Sequence, residues 1–409
     1  MTVRHDLPPP EPDGRIAFIL SLARALHESG HATHRLETAL EATSRHLGLI
    51  GQYFATPTSI FASFGTAERQ QTFMLRTNPT PPDLGKLVRT TEVARAVLEG
   101  RLKPDEGTGK LDDLKAVPPP PVWATIIAFV LASAAAARFL GGGFNEVALA
   151  AAAGLATGSL AMLVRRLPNL RGVYELLAAA TCSFGVGAVG AMFGRISIPI
   201  ATLAGLIVLV PGLTLTTAIA ELANGHLTAG TSRMASAFMT FIGIGFGVAL
   251  GGRLVAVGWR PAGPVTVAAM PEWTIWLALL ASALAFAILL RADRSDWGWI
   301  VAAGVVAYLA TGLGSALLGG DLGVFVGALT LGLVSNGFSR RTGRPSAVML
   351  VPGLLTLVPG SVGFRSITAL LESQVVTGID AAFTMVLTAV SLVAGLLTSA
   401  AVYPERPLA

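Results

Sequence analysis

Two short Pro-Gly elements in apolar surroundings are the strongest candidates for chemistry in this chain. The sequence Leu-Val-Pro-Gly occurs at 209–212 and again at 357–360, each time between an apolar run and a polar stretch. Proline suits the first turn of a helix and glycine lets the backbone turn, so each element predicts a helix that breaks and restarts. Two restarted helices that meet inside a membrane would direct their positive N-terminal ends at an anionic group. The alternative is that both prolines end helices and the stretches after them lie at the membrane interface.

A zwitterionic amino acid fits the first arrangement, because backbone amides at a helix start can hold its carboxylate. Its ammonium group needs carbonyl oxygens or an acid, and Glu221, Asn224 and Glu372 follow the two prolines by ten to thirteen residues. The residues at the breaks are therefore predicted to bind substrate: Pro211, Gly212, Thr214, Thr217, Pro359, Gly360 and Ser361.

Ionisable residues near the apolar runs are few. Such groups are costly inside a membrane and usually functional, which makes Glu175 and Glu221 candidates for proton coupling. The alternative places them near the ends of membrane spans, where polar side chains reach the interface.

His27 and His31 form a His-Glu-x-x-His pattern. On a helix this spacing puts two imidazoles on one face, as in zinc peptidases, so a membrane-tethered metallohydrolase is one hypothesis. Gly30 lies inside the pattern and weakens a helix there. A solvated polar helix face explains the same residues, and we predict neither a metal nor another cofactor, and no enzyme activity.

The elements that position these residues fall into two regions of different composition. Of the first 121 residues 28 are charged, whereas only 25 of the remaining 288 are, and no lysine follows Lys115. The first region predicts a small soluble α/β domain over 1–121 that ends in the proline run 118–121. The second predicts a polytopic helical membrane domain, so the basic pI reflects arginines in short loops and does not indicate nucleic-acid binding.

In the soluble region, apolar periodicity predicts helix over 14–47 with a break or close contact at Gly30. Aromatic and β-branched residues predict strands over 51–64 and 70–76. Asp83 is expected to cap a helix that runs to about Leu102.

Ten apolar stretches beyond the proline run are long enough to cross a bilayer. Of the fifteen arginines after residue 121, ten fall in connections on the side of the N-terminus and five on the other. This bias predicts a multi-pass protein of the cell (inner) membrane with both termini cytoplasmic. The ten spans are expected near 122–140, 147–164, 173–193, 196–212, 234–256, 273–290, 297–318, 322–338, 346–360 and 382–403.

An internal repeat relates the two halves of the membrane region. Pro359 follows Pro211 by 148 residues, and at the same offset Gly378 corresponds to Gly230. The fourth span then matches the ninth, which predicts five-helix repeats over 122–260 and 261–409. An odd number of spans inverts the second repeat, and inverted repeats are common in secondary transporters.

Several motifs in order resemble the threonine/serine exporter family. They are the stretch from Glu28 to Glu37, the stretch from Ala55 to Ile60, the stretch from Leu209 to Thr217, and the later Pro-Gly element at 357–360. On this resemblance, family motif positions fall on Gly30, Arg35, Glu37, Pro57, Pro211, Gly212, Pro359 and Gly360.

The resemblance covers about residues 14–400. It implies ten spans, a cytoplasmic N-terminal domain and efflux of threonine and serine driven by the proton motive force. No phosphate-binding loop of the G-x-x-x-x-G-K-[ST] type occurs, which favours an ion gradient as the energy source. An uncoupled channel is the further alternative, and a homo-oligomer stays open.

Overall fold

A computed structural model describes residues 13–78, 80–194, 196–259, 265–357, 360–371 and 374–405. The described chain divides into two compact units between Pro118 and Pro119. We call them the N-terminal unit, up to Pro118, and the membrane unit, Pro119–Glu405. The division falls inside the proline run, where a helix cannot continue.

The N-terminal unit has two helices, a three-stranded antiparallel sheet in the order β1-β2-β3, and two further helices. The expected helix start at Asp83 is confirmed, because its side chain accepts a hydrogen bond from the Lys86 amide at 2.9 Å. The elements are α1 Gly14–Glu28, α2 Thr33–His46, β1 Gly51–Thr56, β2 Ser59–Thr66, β3 Arg69–Arg76, α3 Leu84–Leu98 and α4 Pro104–Asp113.

The prediction of one strand over 51–64 is wrong. The chain reverses at Pro57–Thr58, and β1 and β2 pair as a hairpin in which Thr56 lies opposite Ser59. The Thr56 hydroxyl accepts a hydrogen bond from the Ser59 amide at 3.1 Å, which closes this turn. Both strands have strand-forming residues, so composition alone did not separate them.

The membrane unit is built of helices. The helices are α5 Val122–Phe139, α6 Phe144–Arg166, α7 Tyr174–Phe193, α8 Ile198–Gly205, α9 Gly212–Ala223, α10 Leu227–Gly258, α11 Thr274–Leu289, α12 Trp297–Leu318, α13 Gly320–Thr342, α14 Ala347–Leu357, α15 Gly360–Leu371 and α16 Val375–Val402.

Eight helical segments in the described residues are long and apolar enough to cross a membrane, which supports a multi-pass membrane protein. Large apolar side chains on them face outward, including Val257, Val376 and Phe193, each more than 70% exposed. Such surfaces belong in lipid or against other protein. The expected span at 273–290 corresponds to the shorter apolar helix α11, and the one at 196–212 is not one continuous helix. The count of ten spans therefore stays a prediction.

The two halves of the membrane unit repeat the same helix pairings. α7 packs on α10 as α13 packs on α16, and α9 packs on α10 as α15 packs on α16. A Cβ built on Gly230 would lie 2.6 Å from Leu222 Cγ, and one built on Gly378 would lie 2.5 Å from Leu370 Cγ. Gly378 and Leu370 each follow their counterparts Gly230 and Leu222 by 148 residues. The offset seen in the sequence therefore also relates equivalent contacts in the structure.

Glycine also marks a matching contact of the fourth helix of each half. A Cβ on Gly205 of α8 would lie 2.9 Å from Cys182 Sγ, and one on Gly353 of α14 would lie 2.7 Å from Leu331 Cδ1. Both positions lie where a helix packs against its neighbour too closely for a side chain.

A third contact pairs serine with glycine in both halves, but with the two residues on exchanged helices. Ser183 of α7 lies against Gly251 of α10, whereas Gly332 of α13 lies against Ser399 of α16. We call these two contacts the serine–glycine seams. The glycine lies on α10 in the first half and on α13 in the second, and the serine lies on the helix that faces it. Small residues of this kind let helix backbones approach closely in a membrane.

Candidate functional site

The first Pro-Gly element is a break between two helices. α8 ends at Gly205, the chain makes turns, and α9 begins at Gly212 after Pro211. Pro211 has φ −80° and ψ 42°, and no side chain caps α9. The Gly212 amide donates to the Val210 carbonyl at 2.8 Å. The amides of Leu213 and Thr214 follow it in the uncapped first turn, the part of a helix that is suited to an anion.

The second element falls at a gap in the described residues. Helix α14 is described as far as Leu357 and α15 from Gly360 onward. Pro359, predicted as a substrate-binding residue, lies outside the described residues, as do Val358 and Glu372. Ser361 is half-buried on α15.

Gly360 of the second element lies against the first break. A Cβ built on Gly360 would lie 2.7 Å from Val210 Cγ1 and 3.6 Å from Gly212 Cα. Glycine at 360 thus permits an approach that a side chain would obstruct. The structure brings Gly360 of α15 to the start of α9, and α9 also contacts α10, α14 and α16.

A line of polar residues runs along α9 away from the break. Thr214, Thr217 and Glu221 are spaced three and four residues apart and therefore share one helix face. Both threonines are half-buried, while Glu221 is fully buried. At 1.5 Å rise per residue, Glu221 lies about 13 Å along the helix from Gly212.

Glu221 forms an ion pair with Arg233 of α10. Arg233 Nε lies 3.0 Å from Oε2 and 3.2 Å from Oε1 of Glu221. The arginine side chain is about one-fifth exposed, at 21%, so the pair spans from the helix interface toward the surface. A buried carboxylate needs such a partner, because the charge loses its hydration.

The other predicted groups have different positions. Glu175 is half-buried in the first turn of α7, where an acid interacts favourably with the helix dipole. Asn224 is exposed at the end of α9, and its side-chain amide donates to the Ala220 carbonyl at 2.7 Å. The ammonium role considered for Asn224 is therefore not supported by its position.

The motif residues of the N-terminal unit hold neighbouring elements of that unit together. Gly30 has φ +78°, and a Cβ there would lie 2.7 Å from Pro82 Cα, so a break and a close contact are both present, as expected. Glu37 Oε1 accepts a hydrogen bond from the Ala55 amide at 2.7 Å, which ties α2 to β1. Pro57 is buried in the hairpin turn and Arg35 is half-buried on α2.

The His-Glu-x-x-His pattern does not lie on one helix. α1 ends at Glu28, so His31 is beyond the helix and the one-turn spacing of the two imidazoles is not formed. His27 is buried, with Nε2 at 3.0 Å from the Pro57 carbonyl oxygen. Over the ranges that the structure describes, no three His, Cys, Asp or Glu residues form a group suited to a metal ion.

Sequence reasoning missed two residues of this site. Arg233 was visible only as a charge near an apolar run, and its pairing with Glu221 depends on the hairpin between α9 and α10. Thr216 was not predicted as a site residue, although Thr214 and Thr217 on either side of it were. It differs from them in its burial, at 2% exposed.

Two family models match the chain. The threonine/serine exporter model (ThrE) matches residues 17–255, and a second threonine/serine exporter model (ThrE_2) matches residues 274–402. The first covers more than half of the chain, and the two meet between α10 and α11.

Curated relatives include "Pheromone-regulated membrane protein 10" of two yeasts. The Candida albicans (strain WO-1) protein is 27% identical over 371 residues, covering 86% of this chain and 33% of the relative. The Saccharomyces cerevisiae (strain YJM789) protein is 26% identical over 385 residues, covering 91% and 49%. The chain thus spans about a third to a half of their length. No solved structure matches it significantly.

Proposed function

Because this chain belongs to the threonine/serine exporter family of membrane transporters, we propose that it exports small hydroxy amino acids, threonine and serine, coupled to the proton motive force. The observation that carries the proposal is the approach of Gly360, from the second Pro-Gly element, to the break before α9. Gly360 approaches Gly212 at the start of α9, where uncapped amides suit a carboxylate.

We further propose that the two halves are inverted five-helix repeats. The matched contacts of Gly230 and Gly378 support an ancestral repeat, and the family models divide the chain at the same place. Five spans in each half would place the breaks at the centre of a pseudo-symmetric transporter, with alternating access around a fixed site. The arginine bias supports a cytoplasmic N-terminus and C-terminus in the cell membrane.

Glu221 is the proposed proton-coupling residue. It is fully buried and held by Arg233, and it lies too far along α9 to reach a substrate carboxylate held at Gly212. Protonation of Glu221 would release Arg233, so a proton could change the contact between α9 and α10. Glu175 remains a second candidate for proton coupling. Its case rests on the sequence, whereas that for Glu221 rests also on the ion pair with Arg233.

The test is amino-acid efflux from cells that express the protein. Cells loaded with a threonine dipeptide should release threonine faster than cells without the protein, and an uncoupler should stop the release. Pro211→Ala and Pro359→Ala should reduce efflux, whereas Pro168→Ala, at an exposed connection before α7, should not.

Coupling is tested by Glu221→Gln, with Glu272→Gln as the control because Glu272 is exposed between α10 and α11. Glu221→Gln should abolish threonine efflux against its concentration gradient and should keep threonine flux down that gradient. Equal efflux with and without the protein would refute transport of these substrates. Flux that runs only downhill in the unmodified protein would indicate the uncoupled channel instead.

Orientation is tested by single exposed cysteines labelled from outside intact cells. Cys182 is buried, so new cysteines supply the signal. Labelling of residue 168 from outside would contradict the proposed cytoplasmic location of that connection.

A further inference from the structure

The hydroxyl of Thr216 has no hydrogen-bond partner within the described residues. Thr216 is 2% exposed and lies on α9, four residues after the Pro-Gly break. A buried polar group without a partner is costly, so such groups in native proteins usually have a ligand or water.

Other helical threonines in this chain show what Thr216 lacks. The hydroxyls of Thr157, Thr231, Thr240 and Thr388 each donate to the carbonyl four residues earlier, at 2.6 to 3.1 Å. This back-bond is the usual way to satisfy a threonine inside a helix. The Thr216 hydroxyl makes no such bond to Gly212.

The position of Thr216 directs its side chain toward the break. It follows Gly212 by one turn and shares its face, and helical side chains lean over the preceding turn. Gly360 approaches the same first turn, since its built Cβ would lie 3.6 Å from Gly212 Cα. The hydroxyl and the uncapped amides therefore belong to one small region.

In the described part of the membrane unit, the other buried hydroxyls without partners lie on other helices, and they are Ser133, Thr202, Thr311 and Ser335. Thr77 and Thr90 of the N-terminal unit also have this property. Within the described chain, Thr216 alone combines this property with a position on the restarted helix α9.

We propose that Thr216 is a specificity-determining residue that hydrogen-bonds the β-hydroxyl of a hydroxy amino acid whose carboxylate is held at the start of α9. This rests on the proposed function. A threonine hydroxyl both donates and accepts, so it complements another hydroxyl. One helical turn is about 5.4 Å, a distance that a small hydroxy amino acid can bridge with one hydrogen bond from its carboxylate and one from its β-hydroxyl. Glu221 is more than two turns from Gly212.

The test compares threonine with valine, which replaces the hydroxyl by a methyl group at nearly the same shape. Full-length protein in proteoliposomes is assayed for both substrates as wild type, Thr216→Val and Thr216→Ser. Thr388→Val is the control, because Thr388 is also buried but its hydroxyl is bonded to Thr384. The threonine-to-valine flux ratio should fall about tenfold in Thr216→Val, stay near wild type in Thr216→Ser, and be unchanged in the control.

Melting of the purified protein separates recognition from folding. Without substrate, Thr216→Val should melt no lower than wild type, because it removes an unsatisfied hydroxyl. Added threonine should stabilise wild type and Thr388→Val more than Thr216→Val.

A lower melting temperature of Thr216→Val without substrate would assign the hydroxyl a structural role and overturn the inference. An unchanged flux ratio with active threonine transport would overturn it while leaving the proposed function intact. Wild-type protein that moves neither threonine nor serine would refute the proposed function itself.

Discussion

Replacing Arg233 by methionine removes the ion-pair partner of a fully buried carboxylate. Methionine keeps the apolar bulk of the arginine stem, so the change is chiefly electrostatic. Glu221 is 0% exposed and both its oxygens lie within 3.2 Å of Arg233 Nε. Removing one partner of a buried ion pair costs about 3–5 kcal/mol, which is the expected destabilisation of Arg233→Met.

Glu221→Gln should cost less, about 1–2 kcal/mol, because Arg233 is partly exposed and can turn to water. The double variant should cost no more than about 2 kcal/mol, since it contains no unpaired buried charge. The cycle then gives a coupling free energy of at least about 2 kcal/mol.

The assay is denaturant unfolding of the full chain in mild detergent, followed by tryptophan fluorescence. All six tryptophans lie after residue 121, so the signal reports the membrane unit. Arg253→Met is the matched control, because Arg253 is exposed on the same helix, and it should change stability by less than about 0.5 kcal/mol. If Arg233→Met is as mild as Arg253→Met, or if the two single effects simply add, the reasoning about the buried pair is refuted.

Three further predictions follow from backbone and side-chain contacts. Gly230→Ala and Gly378→Ala should destabilise the membrane unit by similar amounts, about 1–3 kcal/mol in the same unfolding assay, and a large effect in only one would contradict equivalent packing. Gly30→Ala should destabilise the N-terminal unit by more than about 1 kcal/mol in limited proteolysis because of its positive φ, while Gly109→Ala, in open space inside α4, should be neutral or stabilising. Burial raises the pKa of Tyr53 to about 12, so the folded state keeps its proton above pH 10, and stability should fall between pH 10 and about 12. Tyr53→Phe should remove that fall in a pH series of proteolysis rates.

Hydropathy alone located the long helices of the membrane unit, because a bilayer demands long apolar segments whatever their packing. It could not show that the stretch at 196–212 breaks after Gly205. All of its residues are apolar or small, and only the turns before Pro211 separate α8 from α9. The Pro-Gly motif predicted a restart, but the approach of Gly360 to Gly212 depends on contacts between halves 148 residues apart.

The sequence could predict which kinds of polar residue belong to the site, but it could not predict which residues they contact. Glu221 stood out as an acid in apolar surroundings, yet its relation to Arg233 follows from the fold of α9 onto α10. Thr216 could not be distinguished from Thr217 in the sequence, since burial on a helix depends on which neighbours cover each face.

In the N-terminal unit, local signals succeeded where one residue decides the geometry. Asp83 caps a helix by its own side chain, and Gly30 adopts a left-handed conformation that other residues resist. The histidine pattern misled because two imidazoles share a face only if the helix continues, and α1 ends at Glu28.

The serine–glycine seams have a mechanical consequence. At Gly251 and Gly332 the facing helix is too close for any added atom, so α7 with α10, and α13 with α16, cannot slide past each other without separating. Each helix pair is therefore expected to move as one rigid body. In the proposed transport cycle, the interruption between α8 and α9 is the place where movement of one such helix pair relative to the other can be accommodated.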